Sequence, residues 1–131
     1  MPGLVHQEMI DHGKRSLPYE ACGILSGNQK VVKSIWKLQN ELQSDRRFFI
    51  SRSVIENTLI QIEELNQEVL AIYHTHPTTS PKPSYYDIRS HTDPAVMMVI
   101  VSFKTSPPQT KWYKVTNGNV NEYLFTIEPI S

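Results

Sequence analysis

Apolar residues along this chain alternate between two spacings, and their order predicts most of the elements. Leu4, Val5, Met9 and Ile10 give a helical stripe near the start. Ala21–Leu25 and Val31–Leu38 read as two strands joined at Ser26-Gly27-Asn28. Glu41–Arg47 is polar and reads as a loop, and Phe48-Phe49-Ile50 as a short strand. Ser53-Val54-Ile55-Glu56 fits a capping box, after which Val54, Ile55, Thr58, Leu59, Ile62 and Leu65 follow helical spacing. Val69–Tyr73 is a short apolar run and predicts a buried strand. Ala95–Phe103 is apolar on both faces, which predicts a central strand. Thr105–Gln109 carries Pro107-Pro108 and predicts a surface loop. Lys111–Val115 and Val120–Ile127 flank Asn117-Gly118, the signal of a type I′ hairpin. Strands and helices intermix, so the expected class is α/β, a sheet core flanked by helices.

The Val69–Tyr73 strand runs into His74-Thr75-His76-Pro77. On extended chain, residues two apart share a face, so His74 and His76 project together. Pro77 cannot donate to a ladder, so pairing should stop there. Thr78–Pro83 holds two more prolines and predicts a stiff loop. Ser84 then reads as a helix start with Asp87 in its first turn. Strand end, loop and helix start can gather His74, His76 and Asp87 around one ion. Two imidazoles and a carboxylate are ordinary zinc ligands that leave a fourth position for water. Ser84-x-x-Asp87 equally fits a capping box, and the two roles are compatible if the Ser84 hydroxyl also faces the site. His91, one turn beyond Asp87, is a further ligand, a supporting group or a surface or C-terminal helix histidine, the last fitting the preference for His in a final turn.

Composition narrows the classes. The chain has 131 residues, which suits one domain spanning 1–131. Thirteen basic and thirteen acidic side chains give a formal net charge of zero, with no block of like charge to suggest nucleic acid or an anionic membrane. A single cysteine excludes an intrachain disulfide, and a reduced, cytoplasmic setting fits. The first residues lack a charged segment followed by an apolar one, and the longest apolar run, Ala95 to Val101, is too short for a bilayer. Met97 and Met98 read as core filler. Cys22 reads as a small buried strand residue, and His6 and His12 as surface residues. Trp36, Trp112, Tyr73, Tyr85 and Tyr86 read as core or groove-wall aromatics.

The segment H-T-H-P-x6-S-Y-Y-D resembles the signature H-x-H-P-x6-S-x-x-D of the JAMM (MPN+) metalloproteases. Upstream, Pro18-Tyr19-Glu20-Ala21-Cys22-Gly23-Ile24-Leu25-Ser26-Gly27 resembles the P-x-E-x-C-G-x-L-x-G segment of the compact prokaryotic members. The resemblance covers nearly the whole chain. It implies a JAMM/MPN-like domain with a mixed, mostly antiparallel sheet, and one zinc ion per chain on His74, His76 and Asp87. It also implies Glu20 as the acid–base group, Ser84 as the oxyanion donor, and no nucleophilic role for Cys22. Without the downstream motif, Glu20 is an ordinary glutamate before a strand. The implied activity is hydrolysis of a peptide or isopeptide bond after the Gly-Gly tail of a ubiquitin-like or sulfur-carrier protein. A non-catalytic MPN-type binding module with a structural zinc, and a zinc hydrolase of a small-molecule amide, are the alternatives. Three protein ligands and a candidate base favour the enzyme, since structural zinc sites are usually closed by four. The sequence leaves the oligomeric state open.

Overall fold

The computed structural model describes residues 1–130. The chain order is α1 (Gly3–Ser16), β1 (Cys22–Asn28), β2 (Val31–Leu38), α2 (Arg52–Glu64), β3 (Glu68–His76), α3 (Tyr85–Ser90), β4 (Met97–Ser102), β5 (Gln109–Thr116) and β6 (Asn119–Tyr123). The strands form one sheet in the order β2-β1-β3-β4-β5-β6. All neighbours are antiparallel except β3 and β4, which are parallel. This is the mixed, mostly antiparallel α/β arrangement expected. Among the described residues, no helix is long and apolar enough to cross a membrane.

Alternation along the strands separates two apolar layers. On one face Val5, Met9 and Ile10 of α1 pack with Leu25, Tyr73, Val99 and Val101. On the other, Met98, Ile100, Tyr113 and Val115 pack with Ile88 of α3. β4 is buried along nearly its whole length, as its unbroken apolar run requires. Gly13 lets α1 lie close to the sheet: a Cβ there would come within 2.5 Å of the Phe103 ring and 2.8 Å of Thr75 Cγ2.

Several elements differ from expectation. The β1–β2 turn lies at Gln29-Lys30, both at positive φ (50° and 63°), because β1 continues through Asn28. Phe48-Phe49-Ile50 forms no strand: the Phe49 N–H donates to the Asn40 side chain at 3.1 Å instead of to a ladder. α2 starts two residues earlier than Ser53 implied, with Ser51 as N-cap and no side-chain cap bond, so Ser53 lies inside the helix. Only Thr58 and Ile62 of its apolar stripe are buried, while Val54, Ile55, Leu59 and Leu65 remain exposed. The hairpin turn has Asn117 and Gly118 at φ 51° and 79°, as type I′ requires, but β6 ends at Tyr123 rather than Ile127. Tyr85 is exposed, unlike the core aromatics Tyr73 and Trp112. His6 and His12 are half-buried, not surface residues. His6 Nε2 lies 2.8 Å from Thr110 Oγ1, and His12 Nδ1 shares a hydrogen bond of 2.7 Å with the Tyr73 hydroxyl.

Candidate metal centre

β3 carries His74 and His76 to its C-terminal end, and both are buried. The β1–β3 ladder sets Cys22 opposite His74, so Glu20 comes to the same end of the sheet. The loop after Pro77 is held by carbonyl bonds: His76 Nδ1 donates to Ser80 O at 2.8 Å, Ser102 Oγ to Thr79 O at 2.5 Å, and the Tyr113 hydroxyl to Pro81 O. That loop delivers α3, whose first turn presents Asp87.

The three ligand atoms form a nearly equilateral triangle. His74 Nε2 and His76 Nε2 are 3.2 Å apart, and they lie 3.1 and 3.2 Å from Asp87 Oδ2. A tetrahedral ion with bonds of about 2.0–2.1 Å has ligand–ligand edges of about 3.3–3.4 Å. The triangle is therefore close to one face of such a tetrahedron, and its residues fit a metal ion. Among the described residues this is the one group of three or more His, Cys, Asp or Glu with ligand atoms this close. Because His76 Nδ1 gives its proton to Ser80 O, its Nε2 lone pair faces the triangle.

The electrostatics agree. Burial holds the His74 imidazole below its ordinary value, and the nearby Asp87 only partly offsets this, so the ring is neutral as a ligand must be. Burial alone would raise the Asp87 carboxyl. Its contacts with His74 and His76 and the Ser84 N–H outweigh burial and hold it well below the usual carboxylate range.

Glu20 is buried, and its Oε1 is without a hydrogen-bond partner among the described residues. Burial, then Asp87 and Asp45, push its carboxyl up to about 9. An unpaired buried carboxyl beside an acidic ligand is a costly arrangement. A cation at the triangle relieves it, a second sign that these residues suit one.

Ser84 N-caps α3 in a reciprocal box: its Oγ accepts from Asp87 N at 3.0 Å, and its own N–H donates to Asp87 Oδ2 at 2.9 Å. The same Oδ2 faces both histidines, so the cap fixes the rotamer of the candidate ligand. His91 is the C-cap residue of α3, with Nε2 2.6 Å from Val96 O, outside the triangle. Cys22 is buried, its thiol pushed up to about 12 by burial and then by Glu20 and Glu41, so it is inert.

Beside the triangle a hollow of about 140 Å³ is lined by Phe48, Ile72 and Tyr86 with His74 and Asp87. Phe48 lies over His74, ring centroids 5.3 Å apart. Sequence reasoning missed Phe48, and it also missed Thr75. Thr75 points away from the triangle, and its Oγ1 accepts from Ala21 N at 2.8 Å, beside Glu20. Strand alternation puts Thr75 opposite the histidines, but the Ala21 partner comes from the β1–β3 pairing, which spacing does not encode.

The family described as prokaryotic homologues of the JAB domain matches residues 4–114. The CysO-cysteine peptidase of Mycobacterium tuberculosis is 28% identical over 120 residues, covering 87% of this chain and 80% of the relative. The desampylase of Pyrococcus furiosus is 27% identical over 109 residues, covering 83% and 76%. A solution structure of a Desulfitobacterium hafniense protein superposes with a TM-score of 0.87 at 26% identity, over 98% of this chain and 93% of that one. With this match spanning most of its length, the chain belongs to the prokaryotic JAB-domain family and is a hydrolase of the JAMM type.

Proposed function

We propose that one zinc ion is held by His74, His76 and Asp87, and that the enzyme cuts the amide or isopeptide bond following the C-terminal tail of a ubiquitin-like or sulfur-carrier protein. The ligand triangle, with edges of 3.1–3.2 Å, is the observation that carries this reading. The relatives named for CysO-cysteine and as a desampylase support the substrate class. When bound, zinc supplies Lewis-acid activation of the scissile carbonyl and of the attacking water.

The chain's own residues do the rest. The Glu20 carboxylate takes the proton of the attacking water and returns one to the leaving nitrogen, a contribution of about 10²–10⁴ in rate. Its buried, unpaired Oε1 is free for that work. Ser84 Oγ accepts from Asp87 N, so its own hydrogen remains to be donated to the developing oxyanion. Such a donor contributes about 3–4 kcal/mol. Phe48 and Tyr86 wall the hollow beside the triangle and keep water from the reacting carbonyl.

The test is to incubate zinc-loaded protein with a ubiquitin-like protein joined through its C-terminal Gly-Gly to a lysine or cysteine, and to follow intact mass. Release of the free tail is expected. An uncut conjugate with stoichiometric zinc present would overturn the substrate assignment.

A further inference from the structure

The segment between β2 and α2 closes on one side chain. Asn40 Nδ2 donates to the carbonyls of Glu20 at 3.1 Å and Arg47 at 2.9 Å. Its Oδ1 accepts from the N–H groups of Leu42 at 3.0 Å and Phe49 at 3.1 Å. A carboxamide offers two donor hydrogens and two acceptor lone pairs, so Asn40 uses its full capacity. Its partners are Glu20 and three residues of the loop that follows.

Other bonds give that loop a fixed shape. Glu20 N donates to Ser44 O at 2.8 Å, and Glu41 N to Phe49 O at 3.0 Å. Ser44 Oγ accepts from Arg46 N and Arg47 N. The loop then reaches two more parts of the centre. Phe48 lies over His74, and the Arg47 guanidinium lies 4.5 Å from the ring centre of Tyr86, next to Asp87. Residues 43–50 belong to no helix or strand, so regular pairing does not hold them.

We propose that Asn40 is a positioning residue for this centre. It sets the start of β1, and with it Glu20, against the His74–His76–Asp87 triangle, and it holds Phe48 as a wall of the substrate path. It acts through backbone groups and does not touch the reacting atoms. The effect on rate rests on the hydrolase reading above; the effect on the loop does not. Misplacing a reacting group by about 1 Å costs on the order of 10² in rate.

Two variants separate the arms. Asn40→Asp keeps an oxygen for Leu42 and Phe49 but replaces the donor to Glu20 and Arg47 with a second oxygen. Asn40→Ala removes all of these bonds. At matched zinc content, Asn40→Asp is expected to lower kcat about 10- to 100-fold with KM little changed, because Glu20 acts in the transition state. Asn40→Ala should lower kcat similarly and also raise KM, because Phe48 is released. Amide exchange should quicken at Leu42 and Phe49 in Asn40→Ala, stay slow there in Asn40→Asp, and remain slow through the β1–β3 ladder in both. Asn40→Ala carries the same test if the charge of Asp unfolds the loop. Parental kcat in Asn40→Ala, or exchange quickened equally across β1–β3, would overturn the proposal. If the parent cuts no conjugate, the substrate reading fails and exchange alone decides. Selective loss at Leu42 and Phe49 upholds Asn40, and unchanged or global exchange overturns it.

Discussion

The backbone N–H of Ala21 donates to Thr75 Oγ1 at 2.8 Å, and Thr75 N donates back to Ala21 O at 3.0 Å. Both residues are buried. The pair ties the residue after Glu20 to the residue between His74 and His76. Thr75→Val keeps the shape and removes the acceptor, leaving a buried N–H unpaired. A loss of about 1–3 kcal/mol in stability is expected, together with reduced turnover. Urea unfolding of parent and variant checks it, and equal midpoints would show that the hydroxyl is dispensable.

Zinc content should follow the triangle. The parent purified without chelator should hold about one equivalent, as a single three-residue site allows. The His74→Ala/His76→Ala double variant should hold almost none. Removing the ion should leave the sheet intact, because both apolar layers lie along strands that pair without it. Elemental analysis and far-ultraviolet circular dichroism with and without chelator measure both. Collapse of the spectrum on chelation would make the ion structural, as in small zinc fingers.

Ser84→Ala separates the two roles of one hydroxyl. The cap bond to Asp87 N makes a loss of about 0.5–2 kcal/mol the expected stability effect. If the hydroxyl also donates to the oxyanion, kcat should fall about 10²–10³-fold with zinc retained. Thermal unfolding and turnover are measured side by side. A destabilised variant with parental kcat would leave Ser84 a cap and nothing more.

Stability should also depend on pH through His12. Burial first, then Arg15 and Lys37, lower its imidazole from 6.5 to about 4 in the fold. Above pH 6.5 the ring is neutral in both folded and unfolded chains, and this contribution is fully present. As pH falls from 6.5 towards 4 the unfolded chain takes up a proton that the fold refuses, so stability declines across that window. His12→Gln keeps a hydrogen-bonding partner for the Tyr73 hydroxyl and cannot titrate. The parent should lose stability relative to this variant between pH 7 and pH 4.5 in urea unfolding. Parallel stability curves would exclude His12 as the source.

How much of this was legible in the sequence follows from how local each feature is. The shared direction of His74 and His76 needs only strand alternation, and the first-turn place of Asp87 needs only the Ser84 cap; both are written within fourteen residues. The long apolar strand β4 and the Asn117-Gly118 turn are local in the same way. Glu20 was different: its place beside the triangle depends on β1 pairing with β3 across fifty residues of chain, and only the resemblance to a known motif pointed to it. Phe48-Phe49-Ile50 has strand composition, but Asn40 takes the Phe49 N–H that a ladder would use. His12 looked like a surface residue because nothing near it in sequence reveals that Tyr73 will lie beneath α1.

Glu20→Gln is the sharpest test of the proposed chemistry. The side chain is buried with Oε1 unpaired, so the amide fits the same space and adds no clash that the carboxylate lacked. In the proposed site three protein ligands and a water would complete a tetrahedral ion, with this carboxylate outside its coordination sphere. Zinc content should therefore be unchanged. An amide cannot take the water's proton, so kcat should fall at least about 10²-fold while KM stays close to the parent's. With zinc removed, stability should not fall and should rise near neutral pH. In the metal-free fold, burial and then Asp87 and Asp45 raise the parental carboxyl to about 9, so near neutral pH the fold holds a proton that the unfolded chain has released, and a neutral amide removes that cost. The metal-free variant should thus melt no lower than the metal-free parent, and the zinc-loaded variant should bind conjugate and fail to cut it, giving a complex that gel filtration can isolate. Turnover within a few-fold of the parent at equal zinc would remove Glu20 from the mechanism, whatever the binding measurement shows.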